Sequence, residues 1–283
     1  MKFVLLLLVA SIVAACVVLA LWRQSDHRSD QAEMDRLIRM QPDAPLRFNR
    51  RMVADLPDAA RRYLTFAIAE GTPLHTVAEI DMTGRFSLGR KDRPNYLSMT
   101  AKQVLAPPHG FVWAMSGGSG VMRVSGSDSG GWTRFWLAGL APVARFGGSS
   151  DHARSAFGRY AAEAVFWAPA ALLPSDHVTW DAVDDSTARF TMSYGGLVQS
   201  ADVTVDSNGR PIQVMLQRWS NANPQGVFRW QPFGGYLSEF ETFDGFTIPT
   251  HVEAGNAFGT DDYFPFFIAD VTAFRLPHAQ IYP

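Results

Sequence analysis

Two residue periods divide the chain. Residues 3–22 are apolar with one polar interruption, Ser11. At about 1.5 Å rise per residue, a helix of about twenty residues matches the ~30 Å hydrocarbon core of a bilayer. Trp22 and Arg23 end the run, an aromatic and a cation suited to the membrane interface. Residues 26–54 are polar and arginine-rich. They read as a tether with one short helix over residues 30–40, N-capped by Ser29 and ended by Pro42 and Pro45. Pro57, an apolar stripe of Ala60, Tyr63, Leu64, Ala67 and Ile68, and a closing Gly71 predict a second helix near residues 57–70.

The period then changes to two. Ala78, Ile80, Met82, Gly84, Phe86 and Leu88 alternate with Glu79, Asp81, Thr83, Arg85 and Ser87, the pattern of a strand with one wet face. Leu97, Met99, Ala101 and Leu105 repeat it, and Phe111, Trp113 and Met115 follow. Past a turn at residues 117–120, strands are expected at 121–125 and 132–140. A third helix, near residues 151–167, starts on the acid Asp151 and carries Phe157, Tyr160, Ala161 and Ala164 along one flank. Strands resume at residue 178, with Asn208-Gly209 as a tight hairpin turn and the segments 227–230 and 237–243 read separately. About a dozen strands emerge. The predicted fold is mainly β with minor α: a large curved antiparallel sheet, half-barrel or barrel-like meander, packed on a helix. Residues 55–283 form one domain behind an N-terminal transmembrane anchor or signal segment at residues 1–25.

Composition narrows the picture. The chain has 283 residues, 47% of them hydrophobic and 12% aromatic, which is enough to bury a large core. A formal net charge of −2 gives no electrostatic case for nucleic acid. Lysine occurs only at Lys2, Lys91 and Lys102, so arginine carries nearly all positive charge, a bias of genome composition or a means of bidentate anion recognition. Cys16 is the only cysteine and lies in the apolar run, so the body has neither disulfide nor thiol chemistry. Signal peptides have a shorter apolar region, about 7–15 residues, so an uncleaved anchor is expected. Val13-Ala14-Ala15-Cys16 resembles the lipobox of bacterial lipoproteins, but residues 17–22 stay apolar where lipoproteins continue with a polar tether. Arg23, Arg28, Arg36 and Arg39 outnumber Lys2, which on its own argues for a cytoplasmic body. The brief charged start before a leucine run matches export instead. A single-pass protein of the bacterial inner membrane with a periplasmic body is the expectation.

Several motifs carry a resemblance. Arg134-Phe135-Trp136, Gly158-Arg159 with Glu163, Trp167 with Pro169, Leu172-Leu173-Pro174, Arg218-Trp219, Phe233-Gly234-Gly235 and the aromatic run at residues 263–267 resemble an uncharacterised bacterial domain-of-unknown-function family. That likeness spans roughly residues 55–275 and implies no activity. Val205-Asp206 with Gly209-Arg210-Pro211, and Phe243-Asp244-Gly245-Phe246 with Ile248-Pro249-Thr250, are similar to hairpins of LolA-like lipoprotein carriers. This resemblance implies a curved antiparallel half-barrel wrapping a helix and holding acyl chains on its concave side.

No constellation specifies a reaction. Ser127-Asp128-Ser129-Gly130-Gly131 is similar to the Asp-Ser-Gly-Gly string of trypsin-like proteases. No histidine has the matching context, however, and Trp132 replaces the usual proline, so a Gly/Ser turn is expected. His27, His75, His109, His152, His177, His251 and His278 show no metal-ligand spacing, and neither metal nor cofactor is expected. His251, on a strand, is a candidate to face a cavity. Arg159 and Glu163 share a helix face with His152, Ala156 and Trp167. Such a pair serves as acid and base, holds a ligand head group, or pins helix to sheet. Arginine before glutamate is the weaker order for a helix pair, so partners on strands are expected, with Arg134 and Arg218 as candidates beside tryptophans.

Trp113, Trp136, Trp167, Trp219 and Trp230 join Arg134, Arg159, Glu163, Arg218 and His251 as candidate ligand-binding residues. The leading expectation is a module that binds a hydrophobic ligand or lipid beside the membrane. The alternatives are a hydrolase using Glu163 with Arg159, Asp128 or Asp151, and an envelope scaffold with a filled interior.

Overall fold

The computed structural model describes residues 2–277, so His278 lies outside the described residues. Three α-helices occur among these: α1 (Lys2–Ile38), α2 (Asp58–Ala67) and α3 (Ser150–Trp167). A first meander contains β1 (Ala78–Ser87), β2 (Tyr96–Ala106), β3 (Gly110–Gly117), β4 (Val124–Ser129), β5 (Trp132–Leu137) and β6 (Ala141–Gly147). After α3, a second contains β7 (Val178–Ala182), β8 (Thr187–Tyr194), β9 (Leu197–Val205), β10 (Pro211–Ser220), β11 (Arg229–Phe243), β12 (Phe246–Asn256) and β13 (Phe264–Arg275). The first and last strands pair antiparallel, with Ile80 opposite Phe274, and join both meanders into one 13-stranded sheet. β6 and β7 remain as its two edges, so the sheet does not close into a barrel.

Alternation along the strands gives the sheet two dissimilar faces. The inner face presents Ile80, Met82, Phe111, Trp113, Phe190, Val203, Leu216 and Val252 to α2 and α3, forming the main core. Tyr63 on α2 donates its hydroxyl to the Val165 carbonyl of α3 at 3.0 Å and ties the two helices together. Ser149 caps α3 by accepting from His152 N–H at 3.1 Å. Gly158 lets the sheet approach α3 closely, since a Cβ there would lie 2.7 Å from Gln199 Oε1. The outer face carries a smaller cluster in which Met34 and Leu37 of α1 cover Val104, Ala106 and Val112.

α1 corrects the expected tether. No short helix begins at Ser29, because one helix runs unbroken from Lys2 to Ile38. Ser29 Oγ donates back to the Ser25 carbonyl at 2.9 Å instead of capping a new helix. The apolar half projects free of the body, long and apolar enough to cross a membrane, while Asp26, Asp30, Met34 and Leu37 are buried on the sheet. Smaller corrections concern boundaries. Ser127, Asp128 and Ser129 belong to β4 rather than to a turn, the segment 132–140 ends at Leu137 before turning into β6, and one long β11 spans the two segments read separately.

Candidate functional site

β4 and α3 bring a charged cluster together on the inner face. Arg159 donates through Nε to Glu163 Oε1 at 2.6 Å and through Nη1 to Asp128 Oδ2 at 2.7 Å. Its guanidinium also lies over Phe111 and Trp113, 4.6 and 5.1 Å from the ring centres. Gln103 donates to Glu163 Oε2 at 2.5 Å, and Thr133 Oγ1 to Asp128 Oδ1 at 2.5 Å. Burial alone would lower the Arg159 pKa, but the charges of Glu163 and Asp128 and their hydrogen bonds outweigh it and hold the guanidinium protonated. Arg218, reaching in from β10, has no carboxylate within salt-bridge distance among the described residues. It donates to the Ser155 carbonyl at 3.2 Å and stands over Phe233. Burial and the neighbouring Arg159 lower its pKa to about 10.

This cluster forms the floor of a cavity of about 540 Å³ between α3 and the inner face. Its walls are Phe86, Leu97, Trp113, Phe135, Phe166, Trp167, Phe233, Phe266 and Phe267, with Leu88, Val124, Val143 and Phe146 toward the rim. That volume is within the range of about 300–1,000 Å³ common to small-molecule sites. Two buried polar atoms at the floor, Trp113 Nε1 and Gln103 Oε1, have no hydrogen-bond partner among the described residues. Of the two, Trp113 lines the cavity and offers a donor to a ligand, whereas Gln103 is sealed beneath it.

Of the residues expected at a ligand site, Trp113, Arg159, Glu163, Trp167 and Arg218 line this cavity. The others do not. Arg134 and Trp136 point to the outer face, because they alternate with Phe135, which faces inward. They are not partners of Glu163. Arg134 donates to Asp26 and Asp30, and Trp136 Nε1 to Asp26 Oδ2 at 3.0 Å. Arg145 completes that cluster with two bonds to Asp26, at 2.6 and 2.9 Å. Burial raises the Asp26 pKa, but the bonds from Arg145 and Trp136 and the charge of Arg134 together bring it below the usual carboxylate value. A wider hollow of about 1010 Å³ lies there, between α1 and the outer face.

Trp219 leaves the site for the start of α3, donating to Asp151 Oδ1 at 2.8 Å, and Trp230 packs on it from the exposed side. Asp151 is therefore separated from Glu163, by twelve residues or roughly 18 Å of helix. His251 faces outward between Asp270, 2.6 Å from its Nδ1, and Glu253. Among the described residues, no group of three or more His, Cys, Asp or Glu is placed to hold a metal ion. Gln103 is the site residue that the sequence reading passed over. Its signal was a polar side chain at an inward position of the series Met99, Ala101, Gln103, Leu105.

No curated protein matches the chain. Among solved structures it is similar to a LolA superfamily protein from Nitrosomonas europaea, at 12% identity and a TM-score of 0.38, covering 77% of this chain and 91% of that one. It is likewise similar to a DUF1329 family protein from Desulfovibrio piger, at 12% identity and a TM-score of 0.38, with 77% and 90% covered. The model of DUF6544, a family of unknown function, matches residues 46–268, which take in α2, α3 and the sheet as far as β13 but leave out α1, and the chain belongs to that family.

Proposed function

We propose that this protein binds a hydrophobic or lipid ligand in the inner-face cavity while α1 anchors it in the bacterial inner membrane, with the body on the periplasmic side. The observation that carries the reading is the aromatic cavity of about 540 Å³ with polar groups confined to its floor. Apolar walls supply affinity by removing the ligand's surface from water, and the few floor groups fix its orientation. A scaffold without ligand would have a filled interior in this place.

Retention of the N-terminal segment is supported by packing. The Trp22 ring meets the Trp136 ring edge-on at 5.5 Å, and Arg145 lies over Trp22 at 4.4 Å, so the end of the apolar run is part of the body's contacts. The test is lipid extraction and native mass spectrometry of the full-length protein purified in mild detergent, together with binding of a fluorescent fatty acid. Bound acyl material and saturable probe binding are expected, and Ala162→Trp, which fills the cavity, should weaken probe binding at least tenfold. A clean apo protein that ignores the probe would refute the reading.

A further inference from the structure

We infer that the open end of the cavity rests on the same bilayer that α1 spans, so that ligand moves between cavity and lipid without crossing water. This rests on the anchored-carrier reading but concerns a different surface. Its basis is where the span meets the body. Arg23 Nη2 donates to Ser125 Oγ at 3.4 Å, and its guanidinium abuts Gly139, where a Cβ would come within 2.5 Å of Nη1. The β5–β6 turn therefore sits at the level where the apolar run ends.

Strand register extends that level across the sheet. Gly117 pairs with Met99 and Val124, and Val124 pairs with Leu137, which pairs with Ala141. The loops beyond this line carry large apolar side chains in the open: Val121 is 79% exposed, Leu88 67%, Met122 64% and Leu140 52%. Singly these are unremarkable, but four at one end of a sheet beside a membrane span form a surface that lipid would cover.

The cavity's rim reaches the same end. Leu88 and Val124 line it there, Asp128 of the floor is four residues away along β4, roughly 13 Å, and Val143 and Phe146 continue the rim along β6. In the opposite direction, Arg36 lies thirteen residues beyond Arg23, about 20 Å further along the helix, where it reaches the His109 carbonyl and, through His109, Tyr194. Charge agrees with the placement. Arg23, Arg90, Lys91, Arg93 and Arg123 outnumber Asp92, Asp261 and Asp262 at the span end, an excess that favours anionic headgroups.

The experiment uses the full chain with Cys16→Ala in nanodiscs of phosphatidylethanolamine and phosphatidylglycerol. Single cysteines at Met122, Leu140 and, as a distal reference, Val198 carry an environment-sensitive fluorophore. Nitroxide-labelled lipid should quench the probes at 122 and 140 several-fold more than the probe at 198. Equal quenching at all three overturns the inference. Met122→Asp with Leu140→Asp should slow uptake of a fluorescent fatty acid from vesicles several-fold yet leave its binding from solution unchanged, and unaltered uptake from vesicles counts against docking. Mass spectrometry of the same preparations separates the two readings. A quenched rim over an empty cavity sinks the carrier and keeps the docking surface, whereas a lipid-filled cavity with an unquenched rim does the reverse.

Discussion

Arg159 answers two carboxylates with hydrogen bonds of 2.6 and 2.7 Å while its flat face covers Phe111 and Trp113. Removing it leaves Asp128 and Glu163 without their shared cation, and breaking a buried pair costs about 3–5 kcal/mol. Arg159→Ala should lose stability by that amount in urea unfolding. Arg159→Met combined with Asp128→Asn and Glu163→Gln should lose less, because no charge is left without a counterpart. If the triple variant is the weaker of the two, the cluster's contribution is shape rather than charge. The Arg159–Glu163 pair was legible from its spacing of four on a helix. Its strand partner was not, because alternation tells which residues share a face but not which face is covered. Arg134 and Trp136 share a face with each other and take the outer one, while Phe135 between them lines the cavity.

At the scale of elements, α1 is the part the sequence concealed. Asp26, Asp30, Met34 and Leu37 recur at spacings of four, four and three, a helical stripe continuous with the apolar run. Two acids within the stripe disguised it as solvent-facing, and Ser29 mimicked a start. Arginines from β5 and β6, more than a hundred residues away, make those acids buryable, with help from Trp136 and Ser127. The docking is consequently acid-sensitive. The folded-state pKa of Asp26 lies below its ordinary value, so its contribution is present above about pH 3.9 and is lost as pH falls through the folded value. Asp26→Asn with Asp30→Asn should speed amide hydrogen exchange over residues 26–38 at neutral pH, with little change in β8–β10. Unchanged exchange there would mean that Met34 and Leu37 suffice to hold the helix.

For the molecule as a whole, the strand periods gave the class of fold and most strand positions, since period-two alternation is local. The joining of the two meanders through β1 and β13 is not local, nor is the cavity. It exists because α3 packs closely on β9 and β10 and only lightly on β2, β3 and β6, leaving a gap between helix and sheet over the first meander. Ligand that fills this space stabilises the fold by mass action, by about 2.7 kcal/mol at a hundredfold excess over Kd. A domain of this size gains roughly 2–4 °C in Tm per kcal/mol. Delipidated protein should therefore melt about 5–10 °C higher when a long-chain fatty acid is restored, and the Ala162→Trp variant should not respond.

α1 contains neither proline nor glycine between Lys2 and Ile38, the residues at which a helix kinks most sharply, and runs unbroken from span to body. Under the proposed anchoring, span and body turn as a single lever. A thinner bilayer makes a long apolar helix lean over, and the attached sheet must rotate through the same angle. Under the proposed docking, membrane thickness would thereby set how squarely the cavity's mouth meets the lipid surface.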